Sequence, residues 1–110
     1  MSLYISVYLG TDTQTKIKIL ASGVPVDLSD ITRITLAVNG EIVDSDIATD
    51  AFEWLNTDKT GEVWLKLGPY LTTKKCSPSP ARITLYDILT PNGYVADESC
   101  ETPSLYISVC

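Results

Sequence analysis

Ile31-Thr32-Arg33-Ile34-Thr35-Leu36-Ala37-Val38-Asn39-Gly40-Glu41-Ile42-Val43 decides the fold class. Ile34, Leu36 and Val38 alternate with Arg33, Thr35 and Ala37, the period of two expected of a strand with one buried face. Asn39-Gly40 follows at once, and Ile42-Val43 brings the chain back. A two-residue turn of the I′ type needs positive φ at both central positions, which Asn and Gly tolerate best. The stretch predicts a β-hairpin.

The same period runs outward in both directions. Leu3, Ile5, Val7 and Leu9 alternate with Ser2, Tyr4, Ser6 and Tyr8, and Ile17 and Ile19 alternate with Lys16 and Lys18. Gly23 and Pro25 supply a turn. Phe52 and Trp54 open a short strand whose side chains are expected in the core, and 56–61 is a loop of turn formers. Val63, Leu65 and Leu67 alternate with Glu62, Trp64 and Lys66. Residues 68–73 read as one helical turn with Pro69 at its first position. Ser77-Pro78-Ser79-Pro80 reads as a corner outside any sheet, because proline removes a ladder donor. Arg82 to Leu89 is a strand turned by Pro91-Asn92-Gly93 into Tyr94-Val95, and Leu105, Ile107 and Val109 form the last strand. About eight short strands with almost no helix predict one all-β domain over residues 1–110, a sandwich or barrel.

Composition narrows the function. The 110 residues have room for a single domain with a real core. Fourteen acidic against eight basic residues leave a net charge of -6 and a pI of 4.3, which argues against nucleic acid and anionic membrane as partners. The absence of histidine excludes Ser-His-Asp and Cys-His nucleophilic sites, histidine metal sites and imidazole bases. No stretch approaches the ~20 apolar residues of a membrane helix, and the first residues lack the pattern of a signal peptide. Cys76, Cys100 and Cys110 follow no metal or redox spacing and read as reduced thiols of a cytosolic protein; spacing alone does not decide whether Cys76 and Cys100 pair.

Motifs for chemistry are few. Asp44-Ser45-Asp46-Ile47-Ala48-Thr49-Asp50 lacks the turn glycine and bidentate glutamate of a calcium loop and reads as a solvated acidic loop. Nothing in the spacing sets two of Asp87, Asp97, Glu98 and Glu101 across a cleft. There is no phosphate-binding glycine loop. No enzymatic activity, cofactor or metal is expected. Ser2-Leu3-Tyr4-Ile5-Ser6-Val7 recurs identically at Ser104-Leu105-Tyr106-Ile107-Ser108-Val109. Two strands in like environments explain it, lying side by side in one subunit or not. So do interchangeable strands, one subunit's terminal strand filling another's sheet edge. The strand phases turn Tyr4, Tyr8, Trp64 and Tyr106 outward, and these four are the candidate protein-interface residues, since exposed Tyr and Trp give contact area at low entropy cost. The acidic loop Asp44–Asp50 is expected at the rim.

The order of local signatures resembles a known family. Gly23-Val24-Pro25-Val26-Asp27-Leu28 precedes the strand Ile31–Val38, Gly61-Glu62-Val63-Trp64-Leu65 runs into Tyr70-Leu71-Thr72, and Tyr86-Asp87 leads to Pro91-Asn92-Gly93. Residues 14–109 resemble in this order the immunoglobulin-like (Ig-like) N-terminal domain of phage baseplate upper proteins and small stand-alone phage structural proteins of that type. The resemblance implies a single Ig-like β-sandwich of about seven to nine strands. It also implies a non-enzymatic structural component of a tailed-phage virion, in the tail or baseplate or decorating the capsid. Such a chain would be made in the bacterial cytoplasm, reside in the virion, and contact other virion proteins as a homo-oligomer or in many copies. The second expectation is a small acidic intracellular phage effector that binds and inhibits a host protein.

Overall fold

The computed structural model describes residues 3–21, 24–54, 61–95 and 105–110. Among these lie eleven strands: β1 (Leu3–Val7), β2 (Thr15–Lys18), β3 (Leu20–Ala21), β4 (Val24–Pro25), β5 (Ile31–Val38), β6 (Glu41–Asp44), β7 (Phe52–Glu53), β8 (Glu62–Leu65), β9 (Ser79–Asp87), β10 (Tyr94–Val95) and β11 (Leu105–Val109). The larger sheet runs β1-β11-β9-β5-β6, with β10 hairpinned onto β9. A second sheet runs β2-β8-β7, and β3 pairs with β4 alone. The fold is an all-β sandwich. The second, fifth, ninth and last strands fall in the order of immunoglobulin-type sandwiches, whose sheets separate the second, fourth and fifth principal strands from the third, sixth and seventh.

One apolar cluster lies between the two larger sheets. Ile5, Val7, Ile34, Leu36, Val38, Leu85, Ile107 and Val109 come to it from the larger sheet. Ile17, Phe52, Val63 and Leu65 come from the smaller one, and Leu28 and Leu67 from the connections. Alternation thus places each strand's apolar set inward. Phe52 enters this cluster as expected, whereas Trp54 packs against it only half-buried. The hairpin of β5 and β6 closes through Asn39 (φ 54) and Gly40 (φ 78), the two positive values a type I′ turn needs. Tyr70 and Leu71 N–H both donate to Leu67 C=O, at 3.0 and 3.1 Å, closing the turn expected at Pro69.

Three local expectations are corrected. Ser79 and Pro80 belong to β9 rather than to a corner: Ile107 pairs with Ser79 and Tyr106 with Pro80. Proline is admitted there because β5 ends opposite Ala81, leaving Pro80 with a neighbour on one side only. β9 also stops at Asp87 rather than Leu89. The Asp87 carboxylate accepts from Thr90 N–H (2.7 Å) and Thr90 Oγ1 (2.8 Å), turning the chain and leaving Ile88 and Leu89 in solvent. Finally, Cys76 and Cys110 form a disulfide, with Cα atoms 4.8 Å apart, in place of free thiols or a Cys76–Cys100 bridge. The register explains it. β11 runs antiparallel to the start of β9, and continuing the Ile107–Ser79 pairing by three residues sets Cys110 opposite Cys76. The expected loop at 56–60, and Cys100, Asp97, Glu98 and Glu101, lie outside the described residues.

Candidate interaction surface

The repeated hexapeptide meets itself. β1 and β11 pair in parallel with Leu3 opposite Leu105, Tyr4 opposite Tyr106, Ile5 opposite Ile107, Ser6 opposite Ser108 and Val7 opposite Val109. Like residues therefore stand on like faces. Ile5, Val7, Leu105, Ile107 and Val109 enter the core, while Tyr4 and Tyr106 share the outer face of the larger sheet. Adjacent strands lie ~4.8 Å apart, close to the spacing at which aromatic rings stack. The two tyrosine rings do so, with centroids 5.0 Å apart and planes 13° from parallel. Tyr4 remains 62% exposed, so the stack still offers a ring to solvent.

The other two candidates stand apart from this pair. Tyr8 is exposed but follows the end of β1, and its carbonyl accepts from Thr11 N–H (3.2 Å) and Thr11 Oγ1 (2.7 Å). Trp64 lies on β8 in the other sheet, between Lys16 of β2 and Glu53 of β7. Lys16 sits over the indole at 5.8 Å and pairs with Glu62 at 3.2 Å. The two sheets turn opposite outer faces to solvent, so Trp64 and the tyrosine stack form separate surfaces.

The acidic loop is largely exposed, as expected, and is held at both ends. Arg33 Nε donates to Asp44 at 2.9 Å, and Arg33 Nη2 donates to the other oxygen of the same carboxylate. This fork holds Asp44 below the usual carboxylate range and raises Arg33, whose guanidinium also lies 4.6 Å over Tyr86. At the far end of the loop, Asp50 pairs with Lys66 at 2.7 Å and accepts from Tyr70 Oη; the lysine lowers the Asp50 pKa and is itself raised. These acids fasten the loop to β5 at one end and to the segment that follows β8 at the other. Between them Ile47 is left 84% exposed.

Glu41 was not singled out by its sequence context. Its carboxylate accepts from Thr72 Oγ1, from Thr72 N–H (3.1 Å) and from Thr73 N–H (3.0 Å), and these donors depress its pKa. It ties the β5–β6 hairpin to the segment leading into Cys76.

The sheet edges differ in protection. β6 carries Glu41 and Asp44, β2 carries Lys16 and Lys18, and β7 is two residues long and ends in Glu53. Among the described residues two edges of the larger sheet remain: β10, only two residues long, and β1, which has neither a charge nor a proline and whose Leu3 is 42% exposed beside Tyr4. Charges and proline are what normally prevent a sheet edge from pairing with another chain. Among the described residues no group of three or more Cys, Asp or Glu side chains is placed to hold a metal ion.

Comparison with protein-family models, with curated proteins and with solved structures finds no match for this chain.

Proposed function

We propose that this chain is a non-enzymatic structural domain of a tailed-phage particle that acts through protein–protein contacts. The observation that carries the docking part of this reading is the β1 edge. It is an edge strand with no charge or proline, flanked by a stacked and solvent-facing tyrosine pair. An extended segment adding to such an edge gains main-chain hydrogen bonds along its length, and the tyrosines add contact area at little entropy cost. The phage assignment is supported by the order of the short signatures around Gly23–Leu28, Gly61–Leu65 and Tyr86–Gly93, and by a strand order of the immunoglobulin type.

Quantitative mass spectrometry of purified particles and of infected cells tests it. A copy number approaching that of the major capsid protein indicates a shell-decorating role, and a small fixed number indicates the tail or baseplate. Absence from particles, with abundance in infected cells, refutes the virion role and favours an intracellular effector.

A further inference from the structure

We propose that the open edge of β1 captures the N-terminal strand of a second copy of this chain, parallel and in register, extending the β11–β1 ladder by one strand. The proposal rests on the docking reading for its surface and adds the identity of the partner.

The directions of the main-chain groups carry it. Cys110 N–H donates to Val7 C=O at 2.9 Å. Successive residues of a strand turn these groups to opposite sides, so Val7, Ile5 and Leu3 address β11. Tyr4 and Ser6 therefore aim their N–H and C=O at the open edge. On β11, Val109 C=O accepts from Lys75 and Cys76 N–H (2.8 and 2.9 Å), on the side of β9. Tyr106 and Ser108 consequently turn their main-chain groups towards β1. The β11 edge that already holds a Leu-Tyr-Ile-Ser-Val strand and the open edge of β1 thus present the same residues in the same phase. A strand that fits the first fits the second, and it carries the tyrosine stack onward by one ring.

Two further features select β1 as donor. β11 is tied at its end by the Cys76–Cys110 disulfide, whereas among the described strands β1 pairs with β11 alone. A donor that moves β1 from its own β11 to the next copy's β1 exchanges one edge for its equivalent. The main-chain hydrogen bonds are conserved, and part of the burial of Ile5 and Val7 is given up. Capture is therefore weak and driven by concentration. The relation is heterologous, and a donor's vacated β11 presents the same edge to a third copy's strand, so assembly can continue beyond a dimer.

The test uses the full chain and a fluorescent peptide of sequence Ser-Leu-Tyr-Ile-Ser-Val with an uncharged solubilising tail, read by anisotropy. Binding is expected to saturate, and the reversed-sequence peptide to bind about tenfold more weakly or not at all. Ser6→Pro removes one outward N–H without touching the β11 ladder and is expected to weaken binding about tenfold. Ser6→Lys, which keeps the N–H and adds a charge at the edge, is the second variant and is expected to weaken binding too. In sedimentation equilibrium the wild-type mass should rise with concentration while both variants stay monomeric. Absence of binding, equal binding of the reversed peptide, or undiminished binding by both folded variants would overturn the proposal. Peptide capture by a chain that stays monomeric at about 1 mM would overturn the second copy as occupant. Detection in particles with no peptide capture sinks this proposal alone; capture without particle association sinks the virion role and leaves self-capture standing.

Discussion

Loss of the Cys76–Cys110 bond is expected to lower stability by a margin that can be worked out from chain topology. The two cysteines are 34 residues apart in sequence. Closing a loop of that length removes about 13 cal/mol/K from the unfolded chain, or about 3.8 kcal/mol at 25 °C. Unfolding entropy of about 2.1 cal/mol/K per residue gives about 230 cal/mol/K for this chain, so the bond is worth at most about 17 °C in Tm. Since domains of this kind are stable by only ~5–15 kcal/mol, the reduced protein should still fold but with a thin margin. Calorimetric melts of the oxidised protein, the protein in reductant, and the Cys76→Ser and Cys110→Ser variants form the assay. Reductant and either substitution should have the same effect, and reductant should do nothing further to the variants. Cys100→Ser should retain full sensitivity to reductant. A Tm change below about 3 °C on reduction, or a Cys100→Ser protein indifferent to reductant, would refute the reasoning.

Other perturbations have equally definite expectations. At Gly61 (φ 74) an added Cβ would lie 2.4 Å from the Ile19 carbonyl oxygen, whereas at Gly40 (φ 78) it would meet nothing within 4 Å. Denaturant melts should therefore show Gly61→Ala losing about 2 kcal/mol or more, and Gly40→Ala only the backbone cost of about 1 kcal/mol. The carboxyls of Glu41 and Asp44 are both lowered, so the unfolded chain binds protons first as pH falls. Their stabilisation is present above the unfolded pKa values near 4 and fades as pH drops through the depressed folded values. Tm should hold steady between neutral pH and about pH 5 and then fall, with a shallower fall for Glu41→Gln. A double-mutant cycle on Tyr4→Ala and Tyr106→Ala should return a coupling of about 0.5–1 kcal/mol, and additive effects would mean that the stack is not populated in solution.

What could be read from the sequence was local. The Ile31–Val43 hairpin follows from a two-residue period and a turn whose φ demands are met by neighbouring residues. The inward sets of β1, β2, β8 and β9 follow from the same alternation. Alternation does not say to which sheet a strand belongs, so it could not separate Trp64 from Tyr4 and Tyr106. Nor could spacing pair the cysteines, because Cys76 and Cys110 meet only through the register of β11 on β9. Pro80 looked incompatible with a ladder until the end of β5 showed that nothing needs its missing donor. The repeat was visible, but its meeting in parallel depends on where the chain has put both of its outer strands. The role of Glu41 depends on a segment 31 residues away and left no local mark.

The parallel pairing of β1 with β11 also decides how the domain carries tension. A pull between the leading end of β1 and the trailing end of β11 runs along the two strands in opposite senses, since they point the same way. All hydrogen bonds of that ladder are then loaded together in shear, instead of being opened one at a time as in a peeled hairpin. The disulfide hands the load on Cys110 to Cys76, ahead of β9, so β11 is not drawn off β9. The first element to yield is then β1 sliding against its sequence twin, and a slip of two residues returns apolar side chains to the core face. In mechanical terms this pair is a clasp whose partial slippage keeps the side-chain phase.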